Sequence, residues 1–202
     1  MTFTDFVRTF PGQFEALRAS YGEPHRAYHN WMHIEALLAQ FRECKSAFED
    51  PDAMMLAILY HDCVYDPLGS GNERASADRM ARELRGQLDG RILADAAQLI
   101  LATEKHVVPG ALSAGLSADC ALFLDMDLSI LGAERATFDQ YEAAIREEYR
   151  AVPDRLFRDG RKAILGRFLA RPEIYFTNRY RLERENQART NLARAIAALD
   201  GA

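Results

Sequence analysis

The segment "DPDAMMLAILYHDCVYDP", residues 50–67, limits the fold more than any other. Asp50 and Pro51 give a cap and a first-turn proline for a helix over 51–64. Met54, Met55, Leu56, Ile58 and Leu59 point almost all round its axis, so the helix must be central and covered on every side. Near its end stand His61 and Asp62, next to each other. An imidazole and a carboxylate at the end of a buried helix cost stability unless something pairs with them. The rest of the chain must therefore build layers around this helix and bring a partner to its polar end.

The remaining sequence supplies helices for those layers. Valine occurs five times, while Ala, Leu, Arg and Glu are abundant, which favours helix over strand. Helical patterns are predicted over 2–20 with a break at Pro11, 29–47, 73–88, 91–106 and 119–131, the last stopping at Gly132. Others follow over 134–150, 154–170 and 178–199. No internal repeat or low-complexity linker interrupts them. The expected fold is all-α, a helical bundle in a single domain over 1–202. Its site-bearing core would span about 24–135, with helices from 136–202 packed on it.

Composition narrows the classes of partner. The 202 residues are 49% hydrophobic and 27% charged, with a net charge of -5. That balance is ordinary for a globular chain and argues against a general nucleic-acid binder. The segment 171–192 interleaves Arg with Tyr175, Phe176 and Tyr180. Its glutamates alternate with the arginines, which fits i,i+4 pairing on a solvated helix. Cys44, Cys63 and Cys120 are odd in number and form no CxxC pair, so they are expected as buried thiols in a reducing compartment. The N-terminus has no signal-peptide pattern and no window reaches membrane-spanning length. A cytoplasmic protein that contacts no membrane is expected, with a homodimer among the possible assemblies.

Three of the five histidines fall in two apolar segments. In "YHNWMHIEALL", His29 and His33 are four apart, one helical turn, so both are expected to face the same side. His61 and Asp62 are adjacent and on a helix would diverge by about 100°. A third segment, "FLDMDLSIL", places Asp125 and Asp127 two apart, so they cannot share a helix face. Imidazole and carboxylate without thiolate suit a divalent ion: Mn, Fe, Co, Ni, Zn or Mg. Water bound to such an ion becomes a nucleophile at neutral pH, and a nearby histidine could supply a proton to a leaving oxygen.

The order His, His-Asp, distant Asp resembles the HD superfamily of metal-dependent phosphohydrolases. "YHNWMHIEALL" is similar to the YHNxxH segment of cyclic-nucleotide phosphodiesterases, and "MDLS" to their ADLS segment. The series "RAYHNWMHI", "YHDCVYDP", "NERASA" and "LDMDLSILG" is closer still to a bacterial group of predicted HD phosphohydrolases, over most of residues 24–180. The resemblance implies His33, His61, Asp62 and Asp127 as metal ligands and His29 as proton donor, with Asp62 also helping to position the attacking water. Asp127 is preferred to Asp125 because it stands before "LS". No counterpart of the nucleotide-clamping glutamine and aromatic pair is found, so cyclic-nucleotide cleavage is not implied. The implied substrate is a small phosphoester of nucleotide-like kind. Two other readings stay open: a di-iron oxygenase of the same fold, and a non-catalytic nucleotide sensor.

Outlying residues complete the candidate list. Asp66 either orients the attacking water or caps its loop. His106 either binds a second metal or phosphate, or is a helix-end histidine favoured by the dipole. Arg26 and Lys105 are candidate phosphate clamps, since guanidinium and ammonium pair with phosphate oxygens. Glu73 either caps a helix start or touches the site. His25 has no motif around it.

Overall fold

The computed structural model describes residues 1–201. Among them are ten α-helices and no strand: α1 (Phe3–Thr9), α2 (Pro11–Tyr21), α3 (Trp31–Cys44), α4 (Pro51–Tyr60), α5 (Asn72–Leu84), α6 (Gly90–Ala102), α7 (Ala114–Asp127), α8 (Arg135–Glu148), α9 (Asp154–Leu169) and α10 (Asn178–Asp200). The all-α class expected from the sequence is the class observed. The chain divides into two compact units, one over Met1–Leu124 and one from Asp125 onward.

In the first unit α4 is the central element. Every residue from Ala53 to Tyr60 is at most 1% exposed, with α3, α5 and α6 packed against it. Each large apolar side chain buried this way contributes about 1.5–3 kcal/mol. The helix starts where the sequence signals it. Asp50 accepts the N–H groups of Asp52 and Ala53, and Pro51 occupies the first turn, where a missing donor is harmless. Asp119 fixes the approach to that cap: its buried carboxylate accepts the N–H groups of Glu49 and Asp50. Tyr21 ties α2 to α4 by donating to the Leu59 carbonyl at 3.0 Å.

The helix ends four residues earlier than the pattern suggested. His61 is its C-cap, and residues 61–64 form turns and bends. His61 and Asp62 therefore point according to a turn and not to a helical wheel. The second histidine segment differs in a related way. Asn30 is the N-cap of α3, its side chain accepting Met32 N–H at 2.9 Å. His29 thus precedes the helix, in a bend, and does not stack one turn before His33 along a single helix face.

The second unit is built on a 3-10 segment, Leu128–Gly132, with α10 packed against it and against α9. Tyr175 donates to the Leu128 carbonyl, and Asn191 donates to the carbonyls of Leu131 and Ala133. The sequence pattern makes Gly132 a helix-stopping glycine, but its backbone is not left-handed. Space is what requires it: a Cβ there would lie 2.6 Å from Arg184 Cβ and 2.8 Å from the Arg184 carbonyl oxygen.

Candidate metal centre

Three side chains of the first unit converge. His33 comes from the first turn of α3 and His61 from the end of α4. Asp62 follows in the turn. His33 is 7% exposed and His61 1%. His33 Nε2 lies 3.1 Å from His61 Nε2, His61 Nε2 lies 3.0 Å from Asp62 Oδ2, and His33 Nε2 lies 3.9 Å from Asp62 Oδ2. A point about 2 Å from all three atoms exists in that triangle, and first-row cations bind imidazole nitrogen and carboxylate oxygen at about 2.0–2.2 Å.

The hydrogen bonding of His61 tests whether a cation suits these atoms. Its Nδ1 lies 3.1 Å from the Ile58 carbonyl oxygen, which can only accept. Nδ1 must therefore carry a proton, and in the neutral ring Nε2 is a bare lone pair. That lone pair faces a carboxylate oxygen and a second imidazole nitrogen. Such an arrangement repels itself until a proton or a cation sits among the atoms. An imidazole whose other nitrogen donates to a backbone carbonyl is also the usual form of a metal-bound histidine. The three residues thus form a group that could hold a metal ion. Burial works against the charge on Asp62. The imidazoles of His61, His29 and His33 outweigh it and hold the carboxyl well below the usual carboxylate range.

His29 stands beside this group without belonging to it. It is half-buried, and its ring centroid lies 6.3 Å from that of His33. Two neighbours were not singled out from the sequence. The Tyr65 ring lies 4.4 Å from the His29 ring, centroid to centroid, and tilted by 32°. The Tyr28 ring lies 5.0 Å from His29 and 5.1 Å from His33. The signal for Tyr65 was its place three residues after Asp62, in the same turn region. His25, given no role, approaches the Tyr65 carbonyl oxygen through Nε2 at 3.0 Å and stacks on the Tyr65 ring.

Other candidates have different tasks from those expected. Arg26 is not a phosphate clamp: its side chain is 1% exposed. Its Nε donates to Glu23, Nη1 to the carbonyls of His29 and Asp62, and Nη2 to that of Cys63. Its donors face the fold, and no phosphate could reach them without dismantling it. Asp66 is exposed and takes the loop-cap alternative. Its carboxylate accepts Leu68 N–H, and its main chain exchanges hydrogen bonds with the Asn72 amide. Glu73 is half-buried in the first turn of α5, where an acid suits the helix dipole. Lys105 is exposed. His106 is half-buried in the turn after α6, with a left-handed φ of 49°.

The two aspartates of α7 belong to the second unit by position. Asp125 is fully buried, and its carboxylate accepts Phe176 N–H, Thr177 N–H and the Thr177 hydroxyl, each at 2.7 Å. It is a structural cap for the segment that leads into α10. Asp127 is half-buried.

No model of a known protein family matches this chain, and no curated protein or solved structure is significantly similar to it.

Proposed function

We propose that the chain is a metal-dependent phosphohydrolase acting on a small, nucleotide-like phosphoester. The observation that carries this reading is the convergence of His33 Nε2, His61 Nε2 and Asp62 Oδ2 within 4 Å, with His61 Nδ1 donating to the Ile58 carbonyl so that its Nε2 lone pair faces the group. His33, His61 and Asp62 would hold a divalent cation. Asp127 is proposed as a further ligand on the sequence resemblance, and the commitment of Asp125 to Phe176 and Thr177 supports that choice. A cation held there would supply Lewis acidity and raise the acidity of water at neutral pH.

The residues of the chain do the rest. His29 is half-buried beside the ligand group and is not among the ligands, which suits a proton donor to the departing oxygen. Tyr28 and Tyr65 flank it and limit its rotation. Metal analysis of purified protein, followed by a screen of phosphate esters on wild type and His61→Ala, tests this reading. Near-stoichiometric divalent metal, with turnover in wild type alone, supports it. Two irons with oxygen uptake would replace it by an oxygenase. Tight nucleotide binding without turnover would replace it by a sensor.

A further inference from the structure

Arg26 is an arginine in the first unit with an unusual set of partners. Its guanidinium joins two chain segments that are far apart in sequence. One is the bend that presents His29, and the other is the turn that presents His61 and Asp62. Nη1 bridges the His29 carbonyl at 3.2 Å and the Asp62 carbonyl at 2.6 Å, while Nη2 reaches the Cys63 carbonyl at 3.4 Å. The planar fork fits this task because it offers several donors in fixed directions, which an ammonium does not. Glu23 anchors it from the third side through Nε at 2.9 Å.

Tyr65 completes the junction. The guanidinium carbon of Arg26 lies 5.3 Å from the Tyr65 ring centroid and the same distance from that of Tyr21. The Tyr65 ring lies against the His29 ring, and His25 Nε2 holds the Tyr65 main-chain carbonyl. The chain from Glu23 to Asn30 is thus fastened to the turn 61–65 by three kinds of contact: carbonyl bridges, ring stacking and the His25 bond.

We propose that Arg26 is a positioning residue that, together with Tyr65, fixes the His29 ring relative to Asp62. The inference rests on His29 acting as proton donor in the hydrolysis proposed above. The geometric part stands without it. Arg26 holds main-chain carbonyls and no side-chain ligand atom of His33, His61 or Asp62, so its loss should shift the His29 ring more than the cation group.

The experiment reads the His29 ring directly. Its imidazole carbon-bound protons, assigned by comparison with His29→Gln, are expected to carry a ring-current shift from Tyr65. Arg26→Lys keeps charge and stem and removes only the fork. In that variant the His29 protons should move toward the positions of an unstacked imidazole. Arg26→Gln, whose amide ends near the place of the arginine Nε and cannot reach the carbonyls of His29, Asp62 and Cys63, should move them at least as far and serves if the lysine variant fails to fold. Cobalt(II) affinity should stay within about twofold of wild type in both. Where an alkyl ester such as glycerol 2-phosphate is hydrolysed, whose alkoxide leaves poorly without a proton, kcat should fall about tenfold in Arg26→Lys while KM changes less than about twofold. A folded Arg26→Lys protein with unmoved His29 resonances would overturn the positioning role. So would lost cobalt binding with the His29 shift intact. A wild type without turnover, but with the His29 shift lost in the variant, would overturn the hydrolase reading and keep this one.

Discussion

His33 Nε2 and His61 Nε2 face each other at 3.1 Å, and the only proton that His61 needs for its own backbone contact is on its opposite nitrogen. Two imidazole nitrogens and a carboxylate oxygen therefore share one small space. The convergence of three possible ligand atoms is what sets this group apart from scattered core histidines. It also ranks the neighbouring residues, because a side chain beside the group but outside it has a different task.

His29 is such a side chain. His29→Gln should retain bound metal and lose about 10²–10⁴ in kcat, the usual contribution of general acid catalysis. The loss should be largest on esters with poor leaving groups, since a good one departs without protonation. Steady-state kinetics on a series of phosphate esters, with metal content measured in parallel, checks this.

Asp125 and Asp127 should separate cleanly. Asp125→Ala strips the partner from two backbone donors and a hydroxyl around Phe176 and Thr177. It is expected to destabilise the protein by about 2–3 kcal/mol, the cost of leaving buried donors unsatisfied. Asp127→Ala is expected to unfold at nearly the wild-type denaturant concentration and to lose activity. Chemical denaturation of both variants, beside their turnover, decides between the two assignments.

Gly132 should tolerate no side chain. The added methyl of Gly132→Ala would meet both the Cβ and the backbone oxygen of Arg184, on α10. A backbone oxygen in a helix cannot swing aside as a side-chain tip can. The expected cost is about 1–3 kcal/mol, the range for overpacking a closed site. Thermal unfolding measures it. An alanine substitution at Gly12, where a Cβ meets nothing within 4 Å, is the matched control.

The buried thiols give a prediction in alkali. Burial pushes Cys63 up to about 11 and Cys120 up to about 12, both from an ordinary value near 9. Folding thus favours the protonated thiols. The stability this supplies is fully present below pH 9 and is lost as pH rises through 11. Native protein should react slowly with iodoacetamide at pH 8, and unfolded protein quickly. Stability to urea should fall between pH 9 and pH 11, and the fall should be smaller in Cys63→Ala.

The sequence made α4 readable because apolar residues all round one helix leave no other place for it. Pro11 likewise marked the boundary between α1 and α2. The converging group was legible as residue types and order, His33 then His61 and Asp62, since few tasks want imidazole and carboxylate in an apolar setting. What helical spacing misjudged was the geometry that joins them. His29 precedes the Asn30 cap and His61 ends its helix, so the approach of their segments depends on two turns. Turns are set by long-range hydrogen bonds, here those of Arg26, which no local pattern announces. In sequence, a buried arginine that bridges carbonyls looks the same as one free to clamp a phosphate, which is the reading Arg26 receives there. Tyr65 was missed for the same reason: its ring finds His29 across a gap of thirty-six positions.

Metal content measured alongside affinity tests the central claim most directly. Wild type, stripped with a chelator and titrated with manganese, cobalt or zinc, should take up near-stoichiometric metal. Its unfolding free energy should rise by about 2.7 kcal/mol at a free-ion concentration a hundredfold above Kd. His61→Ala should bind at least a hundredfold more weakly, by about 2.7 kcal/mol. A folded wild type that stays free of every cation offered, or a His61→Ala variant that binds as tightly as wild type, would contradict the account.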